Sequence, residues 1–208
     1  MLKHLVAATC FLSVCQSGFT HQLSYSDVQL CTNSYNHLWF VFESTKSAYR
    51  NDPSAQASIF TTEFSKVLAS DFHFGLLNLP VPPDYTSTIN LDVNGIPDLV
   101  NTAAFGIANW GEFHVANPFS VELTSEALLK KVYKMTTRDV DYTRNAADEG
   151  GCTVYISQKD VVCTVTKDSL NTKKAILNSI VDNVVTAYEI PAPQCALWTT
   201  PPITSYVN

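Results

Sequence analysis

The chain has 208 residues, 46% of them hydrophobic, and a formal net charge of −6. Aromatic residues at 11% and charged residues at only 15% describe a chain that folds around a core rather than a disordered one. Acidic balance without a basic stripe excludes nucleic acid and anionic membrane as partners.

The first segment, MLKHLVAATCFLSVCQSGFT, has a short basic start at Lys3 and His4 and an apolar run from Leu5 to Val14. Cys15 and Ser17 are small residues three and one before a cut at Ser17/Gly18. This is the layout of a secretory signal peptide, and the run is too short to span a bilayer. A lipoprotein box at Leu12 to Cys15 is the weaker alternative, because Val14 is branched where a small residue is needed. The expectation is a signal over residues 1–17, one domain over 18–190, a proline-rich tail over 191–208, and a secreted, soluble product.

Beyond the signal, Cys31, Cys152, Cys163 and Cys195 remain. An even number in an oxidising compartment reads as two disulfides. Of the three connectivities, the spacing favours Cys152–Cys163 and Cys31–Cys195. The first pair flanks TVYISQKDVV, which alternates like a hairpin, with a turn at Ser157-Gln158 setting the sulfurs opposite one another. The second would tie the tail to the start of the mature chain. Without a C-x-x-C, and with no histidine at ligand spacing from a cysteine, zinc is disfavoured.

In chain order, residues 34–50 lean to helix, and Asp52-Pro53 reads as an N-cap followed by a first-turn proline. Phe60, Phe64, Val67, Leu68 and Phe72 recur at helical spacing. In DFHFGLL the period changes to two, so Phe72 and Phe74 face one way, Asp71 and His73 the other. NLPVPPDY is a loop because of its prolines. TINLDV alternates as a strand, GIPDLVNTAAFGIANW carries a helical stripe, and Phe119, Val121 and Leu123 alternate again. LLKKVYKM is ambiguous, and RDVDYTRNAADEGG reads as a polar loop. ILNSIVDNVV has helical spacing at Ile176, Leu177, Ile180, Val181 and Val184, although its valines suit a strand. The pattern is α+β, helices packed on a curved antiparallel sheet.

Three stretches are candidate sites. Asp71 and His73, as i and i+2 on a strand, could form an oriented base, yet no G-x-S-x-G elbow supplies a nucleophile; a solvent-facing pair is the favoured reading. Asn90, Asp92, Asn94, Gly95 and Asp98 approach the spacing of a calcium loop. Asparagines replace charged ligands at two positions, and Asn101 stands where a glutamate would close the site, so a turn at Asn94-Gly95 leading into a helix is preferred. Asp139 to Glu149 is acidic but has no glycine at the turn position, and reads as a solvated loop. No cofactor or metal is expected.

A helix ending in FSKVLASDFHF, a short hairpin, the helix GIPDLVNTAAFGIANW, then strands: this order resembles the nuclear transport factor 2-like fold over residues 34–166. The resemblance implies helices closing over a strongly curved sheet, a cone with an internal pocket, and kinship with secreted invertebrate domains of unknown function. Enzymes of that family use acids and histidines lining the cone. The expectation drawn here is a disulfide-stapled, non-catalytic domain binding a small apolar ligand or a protein partner, with Trp39, Phe60, Phe64 and Tyr133 lining the pocket. The alternative is a hydrolase, isomerase or dehydratase using Asp71 and His73.

Overall fold

A computed structural model describes residues 23–48, 52–81, 86–106, 113–114, 120–144 and 152–191. The expected signal, the tail beyond residue 191 and Cys195 lie outside the described residues.

Helix α1 (Tyr25–Ala48) opens the fold. Cys31, Tyr35, Leu38, Trp39 and Phe42 recur every three or four residues on it, and each is nearly or fully buried, which is the stripe a helix needs to cover a sheet. Helix α2 (Pro53–Val67) starts where expected: Asp52 caps it, its Oδ1 accepting from the Ala55 N–H at 3.0 Å, and Pro53 occupies the first turn. Phe60, Phe64 and Val67 are its buried face, and Phe42 of α1 packs on Phe60 and Phe64 with ring centres 5.4 and 4.9 Å away. Truncating Phe64 to alanine would cost about 3–5 kcal/mol at a site this well filled.

Strand β1 (Leu68–Pro80) follows α2 without a loop, and β2 (Thr88–Asn94) pairs with it antiparallel. Gly95, at φ +82°, makes the turn from β2 into helix α3 (Gly95–Gly106) in a backbone region that penalises any side chain. Then come β3 (Phe113–His114), β4 (Ser120–Ala127), β5 (Lys130–Arg144), β6 (Cys152–Lys167) and β7 (Lys173–Ile190). The sheet order is β2-β1-β7-β6-β5-β3, with β4 also on β5. All pairings are antiparallel except β1 with β7, which is parallel. The α+β class stands, but the sheet is mixed rather than antiparallel, and it is open rather than closed or strongly curled.

Three sequence expectations are corrected. RDVDYTR is not loop but the second half of β5, and TVYISQKDVV is not a hairpin but the middle of β6, continuous through Ser157 and Gln158. ILNSIVDNVV is strand. Its helix-like spacing comes from two register shifts against β6, at Ile156/Ser157 and Val162/Cys163. Each leaves one β7 residue extra, so the inward residues step by three there and by two elsewhere.

The disulfide assignment fails for the same reason. Cys152 and Cys163 stand eleven residues apart on one strand, about 36 Å at the rise of an extended chain, far beyond the reach of a disulfide. Cys31 is instead bonded to Cys163, so it cannot pair with Cys195. Cys152 is also disulfide-bonded. The Cys31–Cys163 link spans a sequence separation of 132. Closing a loop of that size limits the unfolded chain by about 4–5 kcal/mol in the chain-entropy account.

Candidate active site

On β5 the inward positions are Tyr133, Met135, Thr137, Asp139 and Asp141, alternate residues of a strand with a single phase. On β6 the same face carries Ser157, Lys159, Val161 and Cys163, and on β7 Ile180, Asp182 and Val184. Lys159 is in register with Thr137 on one side and Asp182 on the other, while Asp139 is in register with Ser157. The register alone therefore gathers a lysine and three aspartates under helix α1.

The side chains meet. Lys159 Nζ donates to Asp139 Oδ2 at 2.9 Å and to Asp141 Oδ2 at 2.8 Å, and Asp182 Oδ2 lies 3.5 Å from it. Tyr35, from α1, donates its hydroxyl to Asp139 Oδ2, and Ser157 Oγ donates to Asp141 Oδ2 at 3.3 Å. The Trp39 ring covers the ammonium, its centre 4.8 Å from Nζ, a cation–π contact strengthened by exclusion of water. The Lys159 side chain is only 1% exposed and those of Asp139, Asp182 and Asp141 are 2%, 7% and 15% exposed. Asp141 is the most accessible of the set.

One ammonium facing three carboxylates cannot balance them all as anions in a dry core. The proton distribution follows from that. Burial alone would favour the neutral amine at Lys159, but Asp141, Asp182 and Asp139 outweigh it and hold its pKa well above the ordinary value. Burial pushes Asp141 up to about 6; Lys159 opposes the rise, and Asp182 and Asp139 add to it. Burial likewise raises Asp182. Tyr35 is raised by burial and by its place beside Asp139, and stays a hydrogen-bond donor. Among the described residues, Oδ1 of Asp139, Asp141 and Asp182 is buried and receives no hydrogen bond from the protein. These three acceptors face the burial cost of unpaired polar atoms.

Of the residues singled out from the sequence, Trp39 and the start of the third stretch, Asp139 and Asp141, belong to this cluster, while Asp71, His73 and the set over residues 90–98 lie elsewhere. Phe72 and Phe74 are buried and Asp71 is exposed on the opposite face. His73 pairs not with Asp71 but with Asp92 of β2, Nε2 to Oδ1 2.5 Å, in a site whose side chains are 40% and 70% exposed. Asp92 is thus engaged, and Asn90 Oδ1 accepts from the backbone N–H of Asn78 at 2.8 Å; Asn94 ends β2 and Asp98 lies in the first turn of α3. Among the described residues no group of three or more His, Cys, Asp or Glu side chains is arranged to hold a metal ion. Trp39, Phe60, Phe64 and Tyr133 are all core, Phe60 and Phe64 stacking at 5.2 Å.

Tyr133 belongs to a second buried contact. Its hydroxyl donates to Asp27 at 3.0 Å, and Lys173 donates to the other oxygen of Asp27 at 2.5 Å. Burial would raise Asp27, but the Lys173 and Tyr133 hydrogen bonds prevail and hold it low. All its partners are satisfied, so this contact fastens the start of α1 to β5 and β7. His37 of α1 reaches Glu63 of α2 at 3.3 Å and, through burial, is held below the usual histidine range.

Sequence reasoning missed Lys159, Asp182 and Tyr35, and it named the stretch that holds Asp139 and Asp141 but read it as a solvated loop rather than strand. The available signal was a charged residue in phase with buried apolar ones: Lys159 with Val161 and Cys163, Asp182 with Ile180 and Val184.

No family model matches the chain, and no curated protein matches it. Among solved structures, the Kfla4162 protein from Kribbella flavida is similar at 8% identity and TM-score 0.48, over 82% of this chain and 97% of its own. The hexachlorocyclohexane dehydrochlorinase LinA-type3 from Novosphingobium barchaimii is similar at 7% and 0.39, over 80% of this chain and 94% of its own. An NTF2-like superfamily protein from Salmonella enterica is similar at 8% and 0.41, over 78% and 94%. Others carry the names of a ketosteroid isomerase-like protein and of provisionally assigned dehydratases. Two of the neighbours are themselves named as NTF2-like. The expectation of a non-catalytic domain with an apolar pocket is corrected here: the core of this chain holds a buried lysine among three carboxylates, not apolar side chains alone. The activities for which the neighbours are named are their own and are not carried over to this chain.

Proposed function

We propose that this chain is a proton-transfer enzyme of the isomerase or dehydratase type, with Asp141 as general base and Lys159 as the fixed positive charge beside it. The observation that carries the reading is the asymmetry of the Asp141 carboxylate. Oδ2 is tied to Lys159 and Ser157, while Oδ1 is buried and accepts nothing from the protein. A carboxylate held by one oxygen and free at the other is oriented to take a proton, and a value near 6 suits base chemistry at neutral pH. Removing a proton beside a carbonyl or similar group moves negative charge onto oxygen. Lys159 remains protonated and lies where it would stabilise that charge without reorganising. The substrate class is a small, mostly apolar molecule with one polarised oxygen, since Trp39 and the aromatic core adjoin the cluster.

Asp71 and His73 are not part of this proposal. They occupy the other face of the sheet, and His73 is bound to Asp92. The N-terminal segment fits secretion, so the site of action proposed is extracellular.

The test uses 5-nitrobenzisoxazole, whose ring opens when a base removes its C–H proton. The proton goes to the carboxylate, the N–O bond breaks, a nitrile forms and oxygen leaves as a phenolate. The protein should accelerate this reaction with a rate that rises through pH 6, and Asp141→Asn should abolish the acceleration. Equal rates for the two proteins would overturn the assignment.

A further inference from the structure

We infer that the Cys31–Cys163 disulfide positions the buried acid–base cluster by fixing helix α1 over strand β6, so that the site is complete only in the oxidised protein. The inference rests on the proposed role of Asp141 and adds a positioning role for two residues that touch none of the reacting groups.

The spacing on the two elements carries it. On α1, Cys31, Tyr35 and Trp39 follow one another at four-residue intervals on one face, all buried. On β6, Cys163, Val161 and Lys159 alternate on the face toward α1, also buried. From the disulfide, Trp39 is about 12 Å along the helix and Lys159 about 13 Å along the strand. The two rows keep pace from a common origin, and at their far ends Trp39 lies over the Lys159 ammonium at 4.8 Å. Midway, Tyr35 reaches Asp139. A covalent bond at one end therefore sets the height and rotation at which the tyrosine and the tryptophan close the cluster.

Weaker forces would leave that setting loose. The α1 stripe is aromatic and apolar, and such contacts tolerate sliding where a hydrogen bond and a cation–π contact do not. A second anchor, Asp27 with Lys173 and Tyr133, lies four residues before Cys31 and fastens the same end of the helix. It and the buried hydrogen bond from Ser34 Oγ to the Ala175 carbonyl at 3.2 Å tie α1 to β5 and β7, and the disulfide is the covalent tie to β6, the strand that carries Lys159. Both cysteines are 0% exposed, so the bond is a permanent part of the site once formed and not a reversible surface switch.

Without the bond, α1 shifts, water enters, and the burial that raises Asp141 is reduced. The direction is therefore downward, toward the ordinary carboxylate range near 4.

The experiment compares wild-type protein with Cys31→Ala/Cys163→Ala and with Cys31→Val/Cys163→Val, which removes the bond but keeps the space filled. Two quantities are read: the Asp141 carboxyl titration by carbon-13 NMR, and turnover of 5-nitrobenzisoxazole. Val67→Ala, a core truncation in α2 away from the cluster, serves as the destabilised control. Both disulfide-free proteins should show the Asp141 midpoint lowered by about one unit or more and turnover reduced about tenfold through kcat, with the control unchanged in midpoint. An unchanged midpoint in the valine pair, or an equal shift in the control, would overturn the positioning role. So would loss of the folded state in both disulfide-free proteins, which would assign the bond to stability alone. The NMR arm is read whether or not the wild type turns the probe over, so failure of the catalytic proposal and failure of the positioning role are told apart.

Discussion

Lys159 Nζ sits 4.8 Å from the centre of the Trp39 ring and within hydrogen-bond distance of Asp139 and Asp141. Among the described residues it is the one cation in a buried group with three carboxylates. Lys159→Met should therefore destabilise the protein by about 3–5 kcal/mol at pH 7.5, because it leaves buried carboxylates without a counter-charge. Acid should restore part of the loss, since protonation removes those charges. Urea unfolding at pH 7.5 and at pH 5 checks both statements; a loss that is the same at the two pH values would mean the carboxylates do not depend on the lysine.

Asp141→Asn should have the opposite effect on stability. The Asp141 carboxyl is held at about 6 in the folded protein against an ordinary 3.8, so the folded state binds this proton more tightly than the unfolded state. Its contribution favours folding below about 4 and is lost as pH rises through the window from 4 to 6. The asparagine variant escapes that loss and should be more stable than wild type above pH 7, by about 3 kcal/mol at the upper limit. Taking the difference between the two proteins cancels other titrations such as that of His37. A variant less stable than wild type at pH 8 would contradict the raised value.

These two residues also show where the sequence was legible and where it was not. Local signals read well: the Asp52 cap, the α2 stripe as far as Val67, the period-two alternation of DFHFGLL and the Asn94-Gly95 turn are decided within a few residues, although the strand already begins at Leu68. The class of fold was legible too. Long-range pairing was not. In RDVDYTR the alternation of Asp139 and Asp141 with Val140 reads as polar loop until a partner strand covers it, because acids on an inward face violate the usual pattern. On β7 the extra residues at the register shifts turn a strand's spacing into a helix's. The cluster is assembled from both misread segments, so it was hidden by the same two effects.

The disulfide map follows from strand continuity. Non-reducing peptide mapping should recover Cys31 linked to Cys163. With that pair formed and Cys152 also bonded, Cys195 is the expected partner of Cys152 once the proposed signal segment, with Cys10 and Cys15, is removed. A Cys31–Cys195 peptide would contradict the continuous β6 strand.

The His73–Asp92 pair should contribute little. Both side chains are substantially exposed, so Asp92→Asn should change stability by about 1 kcal/mol or less and leave turnover of 5-nitrobenzisoxazole as in wild type. A large drop in turnover would move the active site to the outer face of the sheet.

The central claim, that a buried carboxyl poised for proton transfer lies at Asp141, is tested most directly by titrating that carboxyl in the oxidised protein with carbon-13 NMR. The account predicts a midpoint near 6. A midpoint in the ordinary aspartate range near 4 would show that Lys159 neutralises the site completely, and would contradict the claim.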